Sequence, residues 1–189
     1  AAEAPPRPRR SVALRDLQIH QGVLEVLLPL GAGGEGNARF LLEPAPDGRS
    51  SLRRMTFRGL ELELSEALLV SPQLRGQRFG VEELSFTGEV WPEPFRVDAL
   101  RGQVRVVGSR LLASVEAVRL ASSTAEGRVE VRWGGDRGVE VEVQGEAHPL
   151  ALEDLHFLEP RLPVGEARGP FALRLGDDGF SLDFQDTAL

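Results

Sequence analysis

The sequence contains no cysteine, no lysine and no tyrosine, and each absence removes a class of structure or site. Without cysteine there are no disulfides and no thiolate metal ligands. Cysteine usage therefore does not indicate whether the protein works in an oxidising or a reducing compartment. All 22 basic residues are arginine, which we attribute to the residue bias of a GC-rich genome. No apolar run approaches the roughly 18 to 20 residues that a membrane-spanning helix needs, and no signal peptide is visible.

The balance of charge and hydrophobicity also limits the function classes. The 189 residues carry a formal net charge of -7, with a pI near 5.1. A nucleic-acid partner needs a basic face that releases counterions, so we expect no nucleic acid to bind. Hydrophobic residues make up 41% of the chain, which is ordinary for a folded protein and argues against wholesale disorder.

The clearest pattern lies in residues 128–145, where apolar and charged residues alternate on both sides of a turn. The apolar positions are Val129, Val131 and Trp133 before the turn, and Val139, Val141 and Val143 after it. Successive side chains of a strand point to opposite faces, so this stretch predicts a hairpin with one apolar and one charged face. Glycine-rich residues 134–138 form the predicted turn, and we expect Arg132 to pair with Glu140 across the strands.

The rest of the chain predicts further short strands separated by glycine and proline. Residues 1–10 form a linker rich in proline and arginine. Strands are predicted over residues 11–28 (as two strands, with a turn at His20, Gln21 and Gly22), 38–43, 52–64, 81–91, 95–100, 103–107, 110–120, 171–175 and 180–184. One helical turn is expected within residues 65–74, and a short helix, on the spacing of Leu152, Leu155 and Leu158, before Pro160.

These elements predict an all-β protein. We expect a long, curled and mostly antiparallel sheet, an open groove shaped like a taco, with at most one or two short helices. The alternative is a closed β-sandwich. Either architecture would form a single elongated β domain over residues 11–189, or a piece of a longer groove.

No set of residues in the sequence forms a recognisable catalytic or metal site. The histidines His20, His148 and His156 lack the spacing of a ligand set, so no metal is expected. Adjacent acids such as Glu82 and Glu83 would face opposite sides of a strand and could not cooperate as acid and base. The nucleophile motif G-x-S-x-G is absent. The chain is therefore expected to be no enzyme and to need no cofactor.

The apolar stripe is the remaining feature, and it has two interpretations. Packing of two sheets, or closure of a barrel, would bury it within the protein. Alternatively, lipid acyl chains cover part of it, which suits a stripe of valine and leucine in a chain with only 6% aromatic residues. The predicted lipid-lining residues are Leu62, Leu64, Val129, Val131, Trp133, Val139, Val141 and Val143.

A spacer near the end of the chain resembles those of the TamB/AsmA-like superfamily. That family places a pattern of leucine, aspartate-leucine, proline, leucine-proline and glycine between β repeats. The matching positions here are Leu152, Asp154, Leu155, Pro160, Leu162, Pro163 and Gly165. Residues 133–145 and residues 14–22 are similar to the family as well.

The resemblance implies a location, a ligand and a partner. Members of that family are anchored in the inner membrane of diderm bacteria and cross the periplasm as a β-groove with an apolar interior. The chain would then be an internal segment, in the periplasm, of a protein whose anchor lies elsewhere. Its ligand would be phospholipid, in transport between membranes and outer-membrane biogenesis. An outer-membrane assembly protein of the BamA type is the implied protein partner.

Overall fold

The computed structural model describes residues 11–29, 42–44, 51–70, 77–90, 93–135, 138–176 and 179–185. Nearly all of these residues lie in one ten-stranded sheet. The strands are β1 Ser11–Pro29, β2 Leu42–Pro44, β3 Ser51–Val70, β4 Gln77–Glu89, β5 Phe95–Val107, β6 Arg110–Arg119, β7 Thr124–Gly135, β8 Gly138–Ala151, β9 Glu166–Gly176 and β10 Gly179–Phe184.

The order of strands in the sheet follows their order in the chain. It runs β1-β3-β4-β5-β6-β7-β8-β9-β10, and the short β2 pairs with the beginning of β3. Every described pairing is antiparallel, and β1 and β10 are the two edges. The sheet is therefore open, which confirms the predicted all-β, antiparallel architecture and leaves the closed sandwich without support.

The first long strand corrects the predicted turn at residues 20–22. Residues 11–28 form one strand, not two, because β1 stays paired with β3 on both sides of this point. Gln21 takes a positive φ of 50°, and the register shifts between Ile19 and Gly22. Such an extra residue is a β-bulge, which bends a strand without reversing it.

Two further expectations were wrong in the same direction. Residues 65–70 continue β3 as strand where a helical turn was expected, and residues 71–74 lie outside the described part of the chain. Residues 95–107 form the single strand β5, because Gly102 lies within the sheet and does not end the strand. Of the short strand predicted over residues 38–43, the structure describes only Leu42 and Glu43, in β2.

The predicted hairpins are present. β7 and β8 pair up to Gly135 and Gly138, the two residues between them lie outside the described part of the chain, and the register sets Arg132 opposite Glu140 as expected. β9 and β10 form the last hairpin. The helix predicted near Leu152 is one 3₁₀ turn, Leu152–Leu155, in the connection between β8 and β9.

The buried residues form two clusters on the sheet. One cluster centres on Leu64, Ala67 and Val81, in β3 and β4. The larger cluster belongs to β7, β8 and β9 and includes Leu155 and Leu158 of the connection that follows β8. Between them the sheet surface is less covered, since most side chains of β6 and β7 retain partial exposure.

Candidate functional site

The alternating valines of β7 and β8 build one continuous apolar surface, here called the apolar face. Directly paired residues of antiparallel strands point to the same side of a sheet. The paired rows are Val129, Val143 and Leu173, and Val131, Val141 and Leu175. The predicted face of the hairpin therefore extends into β9.

All eight predicted lining residues belong to this face, in two groups. Trp133 and Val139 extend the β7 and β8 rows by alternation, and the Trp133 backbone N–H donates to Ser109 O at 3.0 Å. Leu62 and Leu64 lie on β3, where they pack with Val104 of β5. Because Val104 is paired through Ala113 to Val129, both groups share one side of the sheet.

The connection between β8 and β9 lies over one end of the apolar face. We call residues 152–162 the cap segment. Its Leu155 and Leu158 are buried against Ala125, Leu150 and Phe171. The segment holds itself in place locally, since Leu158 N–H donates to Leu155 O at 2.8 Å and His156 Nε2 lies 3.1 Å from Leu162 O. The sequence predicted a short helix here but not its position over the sheet.

A cavity of about 200 Å³ remains between the cap segment and the sheet. Its lining is apolar except for Ser123. The predicted residues Val141 and Val143 line it, together with Val118, Leu120, Ala125, Leu150, Leu155, Phe157, Leu158, Phe171, Leu173 and Leu175. Phe171, Leu173 and Leu175 were missed as lining residues, although their alternation in the sequence carries the same signal as the β7 and β8 valines.

A polar network fixes the cap segment to the turn between β6 and β7. Ser123, which is 3% exposed, donates from Oγ to Asp154 Oδ2 at 2.7 Å. The same Oγ accepts the Ala151 backbone N–H at 2.9 Å. Asp154 Oδ2 also accepts the Ser122 N–H at 2.8 Å. Each buried polar group here has a partner, as burial requires.

A row of phenylalanine rings in contact connects the cap segment to β5, β4 and β3. Phe57 of β3 and Phe86 of β4 meet edge to face, with ring centroids 5.3 Å apart. Phe86 meets Phe95 of β5 at 5.8 Å, and Phe95 stacks on Phe157 of the cap segment at 4.5 Å. The ring of Phe95 also lies above Gly88, where a Cβ would come within 2.3 Å of it. The cap segment thus spans the sheet from β8 to β5.

The opposite face of the β7–β8 hairpin carries charge, as predicted. Arg132 binds Glu130 at 2.7 Å, Glu142 at 3.3 Å and Glu140 at 3.6 Å. The hydrogen bond from Arg132 lowers the pKa of Glu130, and the same bond raises the pKa of Arg132. The predicted pairing of Arg132 with Glu140 is therefore confirmed, within a larger network.

The described residues offer chemistry of one kind at the apolar face. They contain no group of three or more histidine, aspartate or glutamate side chains that could hold a metal ion. None of the helices among them is long and apolar enough to cross a membrane. What the face presents is hydrocarbon, and the partly exposed side chains of Val129, Val131 and Val139 leave part of it open to an apolar ligand.

Comparison with known proteins adds nothing to this geometry: the chain matches no family model, no curated protein and no solved structure.

Proposed function

We propose that this chain is a segment of a hydrophobic β-groove in the periplasm that shields the acyl chains of phospholipids during transport between membranes. The observation that carries the proposal is an open sheet with one continuous apolar face that is buried in the clusters at β3–β4 and at β8–β9 but stays partly exposed between them. The cap segment lies over the β8–β9 end, whereas the valines of β7 stay partly exposed. A phospholipid tail would cover them without needing any specific polar contact.

The energetics favour an apolar occupant. Burial of apolar surface contributes roughly 25 cal/mol per Å², so covering several half-exposed valines and leucines stabilises a complex by a few kcal/mol. The edge strand β1 adds exposed apolar side chains on the same side of the sheet: Leu14, paired with Ala67, is 41% exposed, and Leu24, paired with Phe57, is 47% exposed. Apolar area of this kind marks a surface that another molecule covers.

The resemblance to TamB/AsmA-like proteins supports the wider setting of the proposal. In that setting the segment belongs to a protein anchored in the inner membrane and serving outer-membrane biogenesis. An outer-membrane assembly protein of the BamA type would be its partner. The mechanism is passive: the apolar face holds the tails, and the headgroups stay near water at the rim.

Lipid extraction tests the proposal directly. The protein is purified from a diderm bacterial host, its bound lipids are extracted, and phospholipid per protein is measured by mass spectrometry. We expect phospholipid in the wild-type protein and much less in Val131→Glu, because a carboxylate on the apolar face has no partner for its charge. Ser181→Glu places the same charge at an exposed position on the opposite face, on β10 beside Arg174, and should leave the lipid content unchanged.

A second variant guards against loss of folding. Val131→Thr keeps the shape of the side chain while making it polar, and its circular dichroism and thermal midpoint show whether the sheet persists. A folded Val131→Thr protein should also carry less phospholipid. Lipid-free wild-type protein, or equal lipid in Val131→Glu and Ser181→Glu, would refute the proposal.

A further inference from the structure

The polar side of the sheet contains a broad open depression of about 860 Å³. Two rows of paired residues that face away from the valines line it. One row is Arg78, Arg105, Leu112, Glu130 and Glu142, and the other is Gly80, Gln103, Ser114, Arg128 and Gln144. The depression therefore lies opposite the proposed lipid surface.

The arginines of this depression lack the ion pairs that several other arginines of the sheet make. Arg58 binds Glu89 at 3.0 Å, Arg96 binds Asp98 at 2.7 Å, and Arg101 binds Glu116 at 3.3 Å. In contrast, Arg78, Arg105 and Arg128 are exposed, and none of the ion pairs found among the described residues includes them.

Two of these arginines form a like-charge pair. Arg78 and Arg105 are direct partners across β4 and β5, an arrangement that destabilises a sheet when nothing neutralises it. Three carboxylates line the depression, and none of the ion pairs found among the described residues joins one of them to Arg78 or Arg105. Glu130 and Glu142, at the far side of the depression, are held by Arg132, and Glu66 lines the β3 side.

We propose that Arg78 and Arg105 bind the phosphate group of a ligand in this depression, with Arg128 as a further contact. Two adjacent guanidinium groups present planar forks of N–H donors that match phosphate oxygens, and charge-assisted bonds of this kind are the strongest in proteins. Gln103, Ser114 and Gln144 supply further hydrogen-bonding groups along the same row as Arg128. Because the depression and the apolar face are on opposite sides, this site does not rest on lipid shielding.

Titration of the protein with inorganic phosphate tests the site. We expect the side-chain Nε–Hε resonances of Arg78 and Arg105 to shift saturably in NMR spectra, and the thermal midpoint to rise with phosphate concentration. The double variant Arg78→Gln/Arg105→Gln should lose affinity by about tenfold or more. Arg119→Gln/Arg168→Gln removes the same charge from two exposed arginines outside the depression and should bind as the wild type does.

Vesicles distinguish the two sources of a phosphate group. Sedimentation with phosphatidylglycerol vesicles, but not with phosphatidylcholine vesicles, would identify an anionic headgroup as the ligand, provided that the Arg78→Gln/Arg105→Gln variant loses it. Phosphate binding without vesicle binding would identify a soluble phosphate ester. Unsaturable shifts, or equal loss in both double variants, would overturn the site and would leave the lipid-extraction result unaffected.

Discussion

At the scale of single residues, Ser123 is the side chain on which the cap segment most depends. Its hydroxyl bonds both Asp154 and the Ala151 N–H in a buried position, so truncation removes the bond to the Ala151 N–H and one of the two bonds to Asp154 Oδ2. We expect Ser123→Ala to lower the free energy of unfolding by about 1–3 kcal/mol, as measured by urea denaturation.

The neighbouring serine is a matched control for that prediction. Ser122 is exposed, and it is its backbone N–H that bonds Asp154, so Ser122→Ala keeps the contact and should change stability little. Ser123→Ala should also increase binding of a hydrophobic dye, since a loosened cap segment uncovers the cavity. Equal stability of the two variants would contradict this role for Ser123.

The contacts of Glu61 at the β1 bulge make the folding stability of the protein depend on pH. It accepts the Gln21 N–H at 2.9 Å and lies 2.8 Å from His20 Nδ1, and these two bonds hold its pKa below the ordinary value of 4.5. A group with a lowered folded pKa contributes stability at high pH, and this is lost as pH falls through that pKa.

The pH prediction is therefore a difference between variants. As the pH falls from above 4.5 through the lowered pKa of Glu61, the wild-type protein should lose stability that Glu61→Gln lacks at every pH, so the two unfolding curves converge in acid. Glu66→Gln, on the same strand but away from the bulge, removes the same charge and is the control for the change in net charge alone. Failure of the Glu61→Gln curve to converge would exclude the bulge contact.

At the scale of elements, glycine explains both the success and the errors of the sequence analysis. Turn residues correctly ended β7 and β9, where the chain reverses. The turn predicted at Gln21 and Gly22 is instead a bulge within β1, and Gly102 lies inside β5 without ending the strand. A local sequence cannot separate these cases, because whether a strand resumes depends on a partner strand far along the chain.

Gly102 illustrates this requirement in a testable form. A Cβ at this position would lie 2.1 Å from Ser114 O on β6, whereas Gly165 has a similar φ near 155° but open space around its Cα. Both alanine variants carry the same backbone strain, so their difference isolates the clash. We expect Gly102→Ala to be less stable than Gly165→Ala by about 1–3 kcal/mol in thermal unfolding. Equal thermal midpoints of the two variants would show that β6 shifts to accommodate the added Cβ without a loss of stability.

Of the candidate site, the apolar face could be predicted from the sequence, but the cap segment could not. Alternation placed Val129, Val131 and Val141 on one face, because a strand's period of two follows from backbone geometry alone. The cap segment could not be predicted, since its position depends on the stacking of Phe157 on Phe95 across the sheet. No local pattern encodes such a contact.

At the scale of the whole molecule, protection against hydrogen exchange should be uneven. β1 is an edge strand with exposed Leu14, Val23 and Leu24, whereas β8 lies between two strands and beside the larger buried cluster. We expect the paired amides of β1 to exchange earlier than those of β8 in native-state measurements. Comparable protection of both strands would mean that the sheet opens only as a unit.

The strand order has one more consequence, which concerns how such a sheet can change in evolution. From β3 to β10 each strand pairs with the next, and β1 pairs with β3, so among the described strands no crossover ties the ends of the sheet together. Duplication of a hairpin would insert two strands and widen the surface by about 10 Å without disturbing any existing register. The breadth of the molecule is thus set by a count of hairpins in its gene, and a lineage could adjust that breadth in steps.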